Sequence, residues 1–217
     1  MNSMEGRDPA QENSALLYPL LTFKRHCIMT DGEGVTTLIA GAGCPLRCCY
    51  CLNQKILLGK GALVTPRQLY DRVRIDDLYF CATGGGVTFG GGESLLHAPF
   101  IRAFREICGT EWKINAETCL HVPEEHVRIA AECCDFFIVD IKSLDPAVYR
   151  AYTGQELPPA FENLLLLKDL VGADRILVRV PLIPGYNSEA DQQRDADHLR
   201  GLGFTHIDCF SYVIRDN

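Results

Sequence analysis

The most informative stretch of this chain is Cys44-Pro45-Leu46-Arg47-Cys48-Cys49-Tyr50-Cys51, which closely follows an apolar, β-branched run at 36–39. Within it, Cys44, Cys48 and Cys51 have the spacing C-x3-C-x2-C, and a loop this short can wrap three thiolates around one small inorganic centre. Iron–sulfur clusters usually take four cysteine ligands, so three from one loop would leave one iron open to a substrate. An open coordination position distinguishes reactive metal sites from closed structural ones, as is established for zinc. We therefore predict a reactive iron–sulfur centre at this loop.

The other cysteines of the chain admit different interpretations. A zinc site completed by Cys49, His26 or Cys27 is an alternative, although structural zinc loops favour paired C-x2-C knuckles and the sequence has no second knuckle. Because adjacent thiols cannot easily bind the same iron, Cys49 is expected to point away from the centre. The remaining cysteines are mostly in apolar surroundings and are expected to pack in the core. They are Cys81, Cys108, Cys119, Cys133, Cys134 and Cys209.

The composition limits the class of protein. The chain has 217 residues and 11 cysteines, with 21 Lys plus Arg against 28 Asp plus Glu and a formal charge of −7. Without a basic block, a nucleic-acid partner is not expected. Residues 1–15 are polar and are predicted to form a flexible tail rather than a signal peptide, and no apolar run approaches the roughly 20 residues of a membrane span. We expect a cytoplasmic protein without membrane contact, in which clustered cysteines are metal ligands rather than disulfides.

Alternating strand and helix patterns fill residues 16–217, which we predict to form a single domain. Six predicted strands lie at 36–39, 87–89, 113–116, 136–141, 176–181 and 206–212. A capping box beginning at Thr65, an N-cap at Asp145 and a stop at Gly109 mark helix boundaries between them. Repeated strand–helix units predict an α/β fold with a parallel sheet and right-handed crossovers. Periodicity alone leaves open whether this sheet curls into a partial barrel or stays open and doubly wound.

Further segments, together with the cysteine triplet and the aromatic residue before its last cysteine, carry a resemblance to a known family. They are 30–37 (Thr-Asp-Gly-Glu-Gly-Val-Thr-Thr), Cys51-Leu52-Asn53, 84–93 (Gly-Gly-Gly-Val-Thr-Phe-Gly-Gly-Gly-Glu), Asp140-Ile141-Lys142 and 179–185 (Arg-Val-Pro-Leu-Ile-Pro-Gly). The chain resembles the radical S-adenosylmethionine (radical SAM) superfamily, and more narrowly the glycyl-radical-enzyme activating enzymes such as the pyruvate formate-lyase activating enzymes. The resemblance extends from about residue 30 to residue 212.

The chain resembles a short form of these activating enzymes. It lacks the cysteine-rich, ferredoxin-like insert that many of them carry between the cysteine loop and the glycine-rich segment. Thr36 or Thr37 stands where the family has an arginine, and Ser211-Tyr212-Val213 stands where it has Pro-Tyr-His, so one cosubstrate contact is expected to differ. No helix is predicted after the sixth strand, which leads us to expect a wide lateral opening.

The resemblance implies a partial (β/α)6 barrel of parallel strands with a 4Fe-4S cluster held by Cys44, Cys48 and Cys51. It implies reductive cleavage of S-adenosylmethionine to methionine and a 5′-deoxyadenosyl radical, which abstracts hydrogen from a substrate. The implied partners are a glycyl radical enzyme and an electron donor such as flavodoxin or ferredoxin. Two alternatives stay open: radical chemistry on a small molecule or another peptide, and a degenerate iron–sulfur protein for electron transfer or binding.

Several residues near the predicted strand ends are implied to bind the cosubstrate. By resemblance, Glu93 binds the methionine ammonium, which would be a charge-assisted contact. Gly91 and Gly92 let a ligand approach the backbone because they carry no Cβ. Tyr50 and Leu182 are expected beside the adenine.

The later strand ends carry charged residues with implied roles of their own. By resemblance, Glu117, Thr118 and Asp140 are ligands of a monovalent cation beside the cosubstrate carboxylate. Lys142 and Arg179 are expected to face that carboxylate or a substrate, since arginine suits planar bidentate pairing. Taken without the resemblance, the same residues could form a solvated rim with one ion pair. Their common position at carboxyl strand ends is the face that carries the active site in α/β barrels.

Overall fold

The computed structural model describes residues 16–28, 31–53 and 59–212. The predicted tail at 1–15 lies outside the described residues, as do Thr30 and Val213 of the quoted motifs. The strands are β1 (Tyr18–Ile28), β2 (Val35–Gly41), β3 (Ala62–Val64), β4 (Gly86–Gly91), β5 (Lys113–Thr118), β6 (Phe136–Asp140), β7 (Ile176–Leu182) and β8 (His206–Ser211). The α-helices are α1 (Pro66–Val73), α2 (Asp77–Thr83), α3 (Ala98–Cys108), α4 (Glu124–Cys133), α5 (Pro146–Thr153), α6 (Pro158–Val171) and α7 (Glu189–Gly201). Short 3-10 turns lie at Arg74–Asp76, Ser94–His97 and Ala173–Arg175.

The strands form one sheet whose order decides between the two predicted architectures. Its order is β3-β1-β2-β4-β5-β6-β7-β8, and β2, β4, β5, β6, β7 and β8 pair in parallel in the order of the chain. A doubly wound sheet reverses its strand order at a switch point, and no reversal occurs among these six strands. The sheet ends at β3 and β8 without closing among the described residues. The partial barrel of six parallel strands is therefore confirmed.

Two strands were not predicted from the sequence and correct the six-strand expectation. β1 pairs antiparallel with β2, and β3 pairs antiparallel with β1. The pattern of β1 is obscured because its register with β2 shifts between Lys24 and Cys27, where His26 has a positive φ of 56°. β3 has three residues, which is too short for a period-2 pattern to be recognised.

The predicted helix boundaries are present in the structure. Thr65 forms a complete capping box with Gln68 at the start of α1, and Asp145 accepts hydrogen bonds from the first turn of α5. Helix α3 ends at Gly109 and buries Phe100 and Phe104 against the sheet side of the core. These local signals fix where the helices begin and end between the strands.

The length and apolar character of the helices were compared with those of a membrane span. In the three described stretches, none of the helices has both the length and the apolar character needed to cross a bilayer.

Candidate active site at the carboxyl ends of the strands

The cysteine loop after β2 is docked on the end of helix α5. The backbone N–H of Arg47 donates to Thr153 O (2.8 Å), and that of Cys49 donates to Tyr152 O (3.1 Å). Carbonyls of the last turn of a helix have no partner within the helix, so this loop satisfies groups that would otherwise be orphaned. The loop that carries the three cysteines is thereby fixed against α5.

The loop and the carboxyl strand ends enclose one cleft of about 450 Å³. All twelve residues predicted for the site line it: Cys44, Cys48, Tyr50, Cys51, Gly91, Gly92, Glu93, Glu117, Thr118, Asp140, Lys142 and Arg179. Seven residues outside that set also line it: Leu46, Leu52, Asn53, Cys119, Phe210, Ser211 and Tyr212. Leu182, expected beside the adenine, is half-buried at the end of β7 and is not among the lining residues.

The glycine-rich end of β4 is held directly beside the cysteine loop. The N–H of Gly92 donates to Gly41 O (3.1 Å) and the N–H of Glu93 donates to Gly43 O (2.8 Å). A Cβ on Gly92 would lie 2.1 Å from the carbonyl oxygen of Gly43, so only glycine allows this approach. At the far end of the loop, Asn53 Nδ2 donates to Gly91 O (2.9 Å). The two glycine positions therefore bring the loop and the strand end into contact.

Glu93 is buried in the floor of the cleft, at 2% exposure. Its Oε1 accepts hydrogen bonds from Leu95 N (2.9 Å) and Thr118 Oγ1 (2.7 Å), and its Oε2 accepts one from Cys119 N (2.7 Å). Burial raises the pKa of Glu93, while these hydrogen bonds oppose the rise. A carboxylate has about four acceptor positions, and the fourth is contacted by the Cys119 thiol, a weak donor that a stronger donor from a ligand could replace.

Lys142 also lines the cleft and is 7% exposed. Its Nζ donates to Tyr212 Oη (3.0 Å) and lies 3.2 Å from Asp140 Oδ2. Burial acts to lower the pKa of Lys142, but Asp140 and Tyr212 hold that pKa well above its ordinary value. The ammonium is therefore charged and already paired within the chain.

Arg179 is surrounded by three carboxylates. Its Nε lies 3.7 Å from Asp140 Oδ1 and 3.8 Å from Asp208 Oδ2, and its Nη1 lies 3.9 Å from Glu117 Oε1. Burial and then the charges of Asp140 and Asp31 raise the pKa of Glu117 to about 7. Carboxylates thus outnumber cations in this part of the cleft, which disfavours an acidic ligand and favours a neutral or cationic one.

The thiols of the loop lie in unequal environments. A hydrogen bond from the Cys119 thiol lowers the pKa of Cys44, whereas burial raises the pKa of Cys48 to about 11. Cys119 is buried as expected, at 8% exposure, but its side chain also contacts Cys44 and Glu93 at the wall of the cleft. Its position directly after the Glu117-Thr118 pair at the end of β5 was the available signal in the sequence. The same expectation of core packing is wrong for Cys81 and Cys209, which are exposed.

The zinc alternative is not supported by the positions of its proposed ligands. Cys49 is exposed, and its Sγ accepts a hydrogen bond from Tyr186 Oη (2.9 Å), outside the cleft. His26 Nε2 lies 3.5 Å from Asp76 Oδ1 on the outer side of the sheet, and Cys27 is buried in β1. In the described part of the chain, no three His, Cys, Asp or Glu side chains are arranged for a single metal ion.

The donor set of the loop suits an iron–sulfur cluster better than a single ion. Cys44, Cys48 and Cys51 all line the same cleft, so one group bound there can be shared among the three sulfurs. Ligands of a cluster bind separate irons and do not have to converge on one point. Thiolates are the ligands that iron–sulfur clusters use, and three of them leave one iron free.

Comparison with known proteins defines the class. Residues 38–193 match the Radical SAM superfamily. The match covers well over half of the chain, so the chain belongs to this superfamily. Membership implies a 4Fe-4S cluster and S-adenosylmethionine as cofactors.

Curated relatives include several activating enzymes. The pyruvate formate-lyase 2-activating enzyme of Escherichia coli (strain K12) is 29% identical over 213 residues, which cover 82% of this chain and 72% of that protein. The isethionate sulfite-lyase activating enzyme of Oleidesulfovibrio alaskensis is 30% identical over 152 residues, which cover 70% of this chain and 49% of that protein. This chain therefore spans about half of the second relative's length and nearly three quarters of the first.

Solved structures support the fold. QueE from Escherichia coli superposes with a TM-score of 0.57 at 13% identity, covering 95% of this chain and 90% of that chain. Streptococcus suis SuiB bound to S-adenosylmethionine superposes with a TM-score of 0.58 at 14% identity, covering 78% of this chain and 38% of that chain. At these identities, the likeness establishes the shared barrel and nothing about substrates.

Proposed function

We propose that this protein cleaves S-adenosylmethionine reductively at a 4Fe-4S cluster bound by Cys44, Cys48 and Cys51, and that it uses the resulting radical to install a glycyl radical on a partner enzyme. The observation that carries the proposal is the convergence of a three-cysteine loop and the polar carboxyl strand ends in one cleft. The cluster, when bound, supplies the electron that divides the cosubstrate into methionine and a 5′-deoxyadenosyl radical.

The residues of this chain orient the cosubstrate. Glu93 accepts a hydrogen bond from the methionine ammonium in place of the weak contact with the Cys119 thiol, and the bare backbone of Gly91 and Gly92 lets the methionine moiety approach. Glu117, Thr118 and Asp140 present oxygens to a monovalent cation beside the methionine carboxylate. Because Glu93 is almost fully buried, these contacts are made away from bulk water and are stronger for it.

We propose a different role for Arg179 from the contact with a carboxylate or a substrate that the sequence alone predicts. Its guanidinium lies among Glu117, Asp140 and Asp208, and Lys142 is paired with Asp140. Both cations therefore balance carboxylates of the cleft wall before any ligand arrives. A small acidic metabolite would have to break these pairs, which argues against such a substrate.

A protein glycine is the target that the observations favour. The curated relatives are named activating enzymes of pyruvate formate-lyase 2 and of isethionate sulfite-lyase. The 5′-deoxyadenosyl radical would take one hydrogen atom from the glycine Cα, which yields 5′-deoxyadenosine and leaves the unpaired electron on that carbon. An electron donor such as flavodoxin or ferredoxin would supply the one electron for each turnover.

The test is an anaerobic reaction of the reconstituted protein with reductant, S-adenosylmethionine and a glycyl radical enzyme encoded near its gene. The expected result is a glycine-centred doublet in the electron paramagnetic resonance spectrum of the partner, which is absent with Cys44→Ala. The contrary result has three parts: 5′-deoxyadenosine forms, no candidate partner acquires a radical, and a small molecule loses hydrogen instead. That result would refute the activating function and would favour the small-molecule alternative.

A further inference from the structure

Helix α5 has two buried hydroxyls, those of Tyr149 and Tyr152, without a hydrogen-bond partner among the described residues, and of the two only Tyr152 packs against other tyrosine rings. Tyr149 is 1% exposed, and its Oη makes no hydrogen bond among the described residues. Its ring packs with Leu157 and Ala160, so the apolar part of the side chain is well placed and only the hydroxyl is unsatisfied. A buried hydroxyl without a partner destabilises the fold, and phenylalanine at this position would avoid that cost.

Tyr149 is held next to the cysteine loop by helix α5, although it is not among the residues that line the cleft. Tyr149 is on α5, the helix whose last carbonyls accept hydrogen bonds from Arg47 and Cys49 of the loop. Burial and then the neighbouring thiols of Cys119 and Cys48 raise the pKa of Tyr149. The residue therefore stands directly behind the cleft wall, and its hydroxyl remains a neutral donor at physiological pH.

We propose that Tyr149 Oη donates a hydrogen bond to a sulfur of the bound cluster, on the Cys48 side of the site, and thereby raises the reduction potential of the cluster. This inference rests on the proposed function, since it requires the cluster. Hydrogen bonds to cluster sulfurs are among the features that set the potentials of iron–sulfur proteins. Such a bond stabilises the reduced cluster more because the reduced cluster carries more negative charge.

The conservative variant Tyr149→Phe removes only the hydroxyl. The midpoint potential of the reconstituted variant is measured by an anaerobic redox titration followed by electron paramagnetic resonance. At the midpoint potential of the parent protein, the ratio of reduced to oxidised cluster in the variant should be about tenfold lower. This ratio corresponds to a negative shift of the midpoint potential by about 59 mV for one electron. Iron and sulfide content should stay at the parental value, because no ligand is removed.

A second measurement examines the same variant before the cluster is loaded. Without the cluster, the hydroxyl of Tyr149 has no acceptor in the part of the chain that the structure describes, so the melting temperature of Tyr149→Phe should exceed that of the parent chain by about 2 to 10 °C. The matched control is Tyr18→Phe. Tyr18 is equally buried, but its Oη donates to Ile39 O (3.3 Å), so this variant should melt lower and keep the parental midpoint potential.

The outcomes separate this inference from the proposed function. A loaded Tyr149→Phe protein with an unchanged midpoint potential overturns the role of the hydroxyl and leaves the proposed function intact. A lower melting temperature of the unloaded Tyr149→Phe chain also overturns it, because the hydroxyl must then have another partner. A parent protein that takes up no iron or sulfide on anaerobic reconstitution overturns both.

Discussion

Two buried carboxylates, Glu93 in the cleft and Asp76 on the outer side of the sheet, are each 2% exposed but have different partners. Asp76 Oδ2 accepts hydrogen bonds from Arg25 Nε (2.9 Å) and Thr37 Oγ1 (2.9 Å), so a guanidinium of the chain compensates its charge. Glu93 is held by two backbone N–H groups, the Thr118 hydroxyl and the Cys119 thiol. No Lys or Arg side chain of the described residues forms an ion pair with it.

The difference indicates which of the two sites is built for a ligand. A buried carboxylate that is paired with a cation of the same chain has its charge compensated without a ligand. A buried carboxylate with only neutral donors is stabilised further when a cationic ligand binds. Substitutions around Asp76 should therefore change stability without changing ligand binding. Substitutions around the cleft should change ligand binding with smaller effects on the fold.

The largest effect is expected at the cysteine loop. Anaerobic reconstitution should give about four irons per chain, and Cys44→Ala, Cys48→Ala or Cys51→Ala should each abolish the intact cluster because each removes one thiolate ligand. Cys49→Ala is the matched control within the loop and should keep the cluster, as should Asp76→Asn on the outer side. Iron analysis and visible absorption measure this. Loss of the cluster in Cys49→Ala together with its retention in Cys51→Ala would show that the ligands are misassigned, and one zinc without iron would favour the zinc alternative.

The second effect is a pH dependence of the cluster-free chain. The pKa of Glu117 is raised to about 7 in the folded chain, against about 4.3 for an unfolded glutamate. Between these values the folded chain binds more protons than the unfolded chain, so its stability should fall as pH rises through this window, by roughly 3 kcal/mol in total. Urea unfolding at several pH values, in buffer free of alkali-metal ions, measures this. Glu117→Gln should flatten the dependence, and the exposed Glu124→Gln should not; equal slopes in all three proteins would contradict the assignment.

The third effect is a change in the affinity for S-adenosylmethionine when Glu93 is replaced. Glu93→Gln should weaken S-adenosylmethionine binding by about ten- to a hundredfold, since the loss of a desolvated charged contact costs about 1.5 to 3 kcal/mol. The cluster spectrum should stay unchanged. Anaerobic titration measures the affinity, and Asp76→Asn serves as the buried-carboxylate control with parental affinity. Equal affinity in Glu93→Gln and the parent would remove Glu93 from the cosubstrate site.

The smallest effect is expected at Asp76, whose replacement should change the free energy of unfolding. Asp76→Asn should lower the free energy of unfolding by about 1 to 3 kcal/mol, because the hydrogen-bonded charge partner of Arg25 is lost in a largely buried position. Urea unfolding of the cluster-free chain measures the change. A parental stability combined with a weakened cosubstrate affinity would reverse the comparison between the two carboxylates.

Local chemistry explains which parts of the fold were predictable. The six parallel strands follow from apolar runs, and the helix boundaries follow from side chains such as Thr65 and Asp145 that satisfy the first turn by themselves. The antiparallel strand β1 was not recognised because its irregular stretch around His26 breaks the alternation of buried and exposed residues. The choice of a partial barrel needed the strand order, which is a long-range property.

The candidate site was predictable to the extent that its residues lie next to strand ends. All twelve predicted positions line one cleft because parallel strands present their carboxyl ends on the same side. The pairing of Arg179 with three carboxylates was not predictable, since Asp208 comes from a strand about 30 residues later and its register decides the contact. The role of Cys119 was missed for a similar reason: its contact with Cys44 joins the ends of two different strands.

The most direct test of the central claim is the formation of 5′-deoxyadenosine. Reconstituted protein is mixed anaerobically with S-adenosylmethionine and a low-potential reductant, and methionine and 5′-deoxyadenosine are quantified by liquid chromatography. We predict that both products form in equal amounts with the parent protein and with Cys49→Ala, and that neither forms with Cys44→Ala. A cluster-loaded parent protein that binds S-adenosylmethionine and releases no 5′-deoxyadenosine would contradict the account and would favour an iron–sulfur binding or electron-transfer protein.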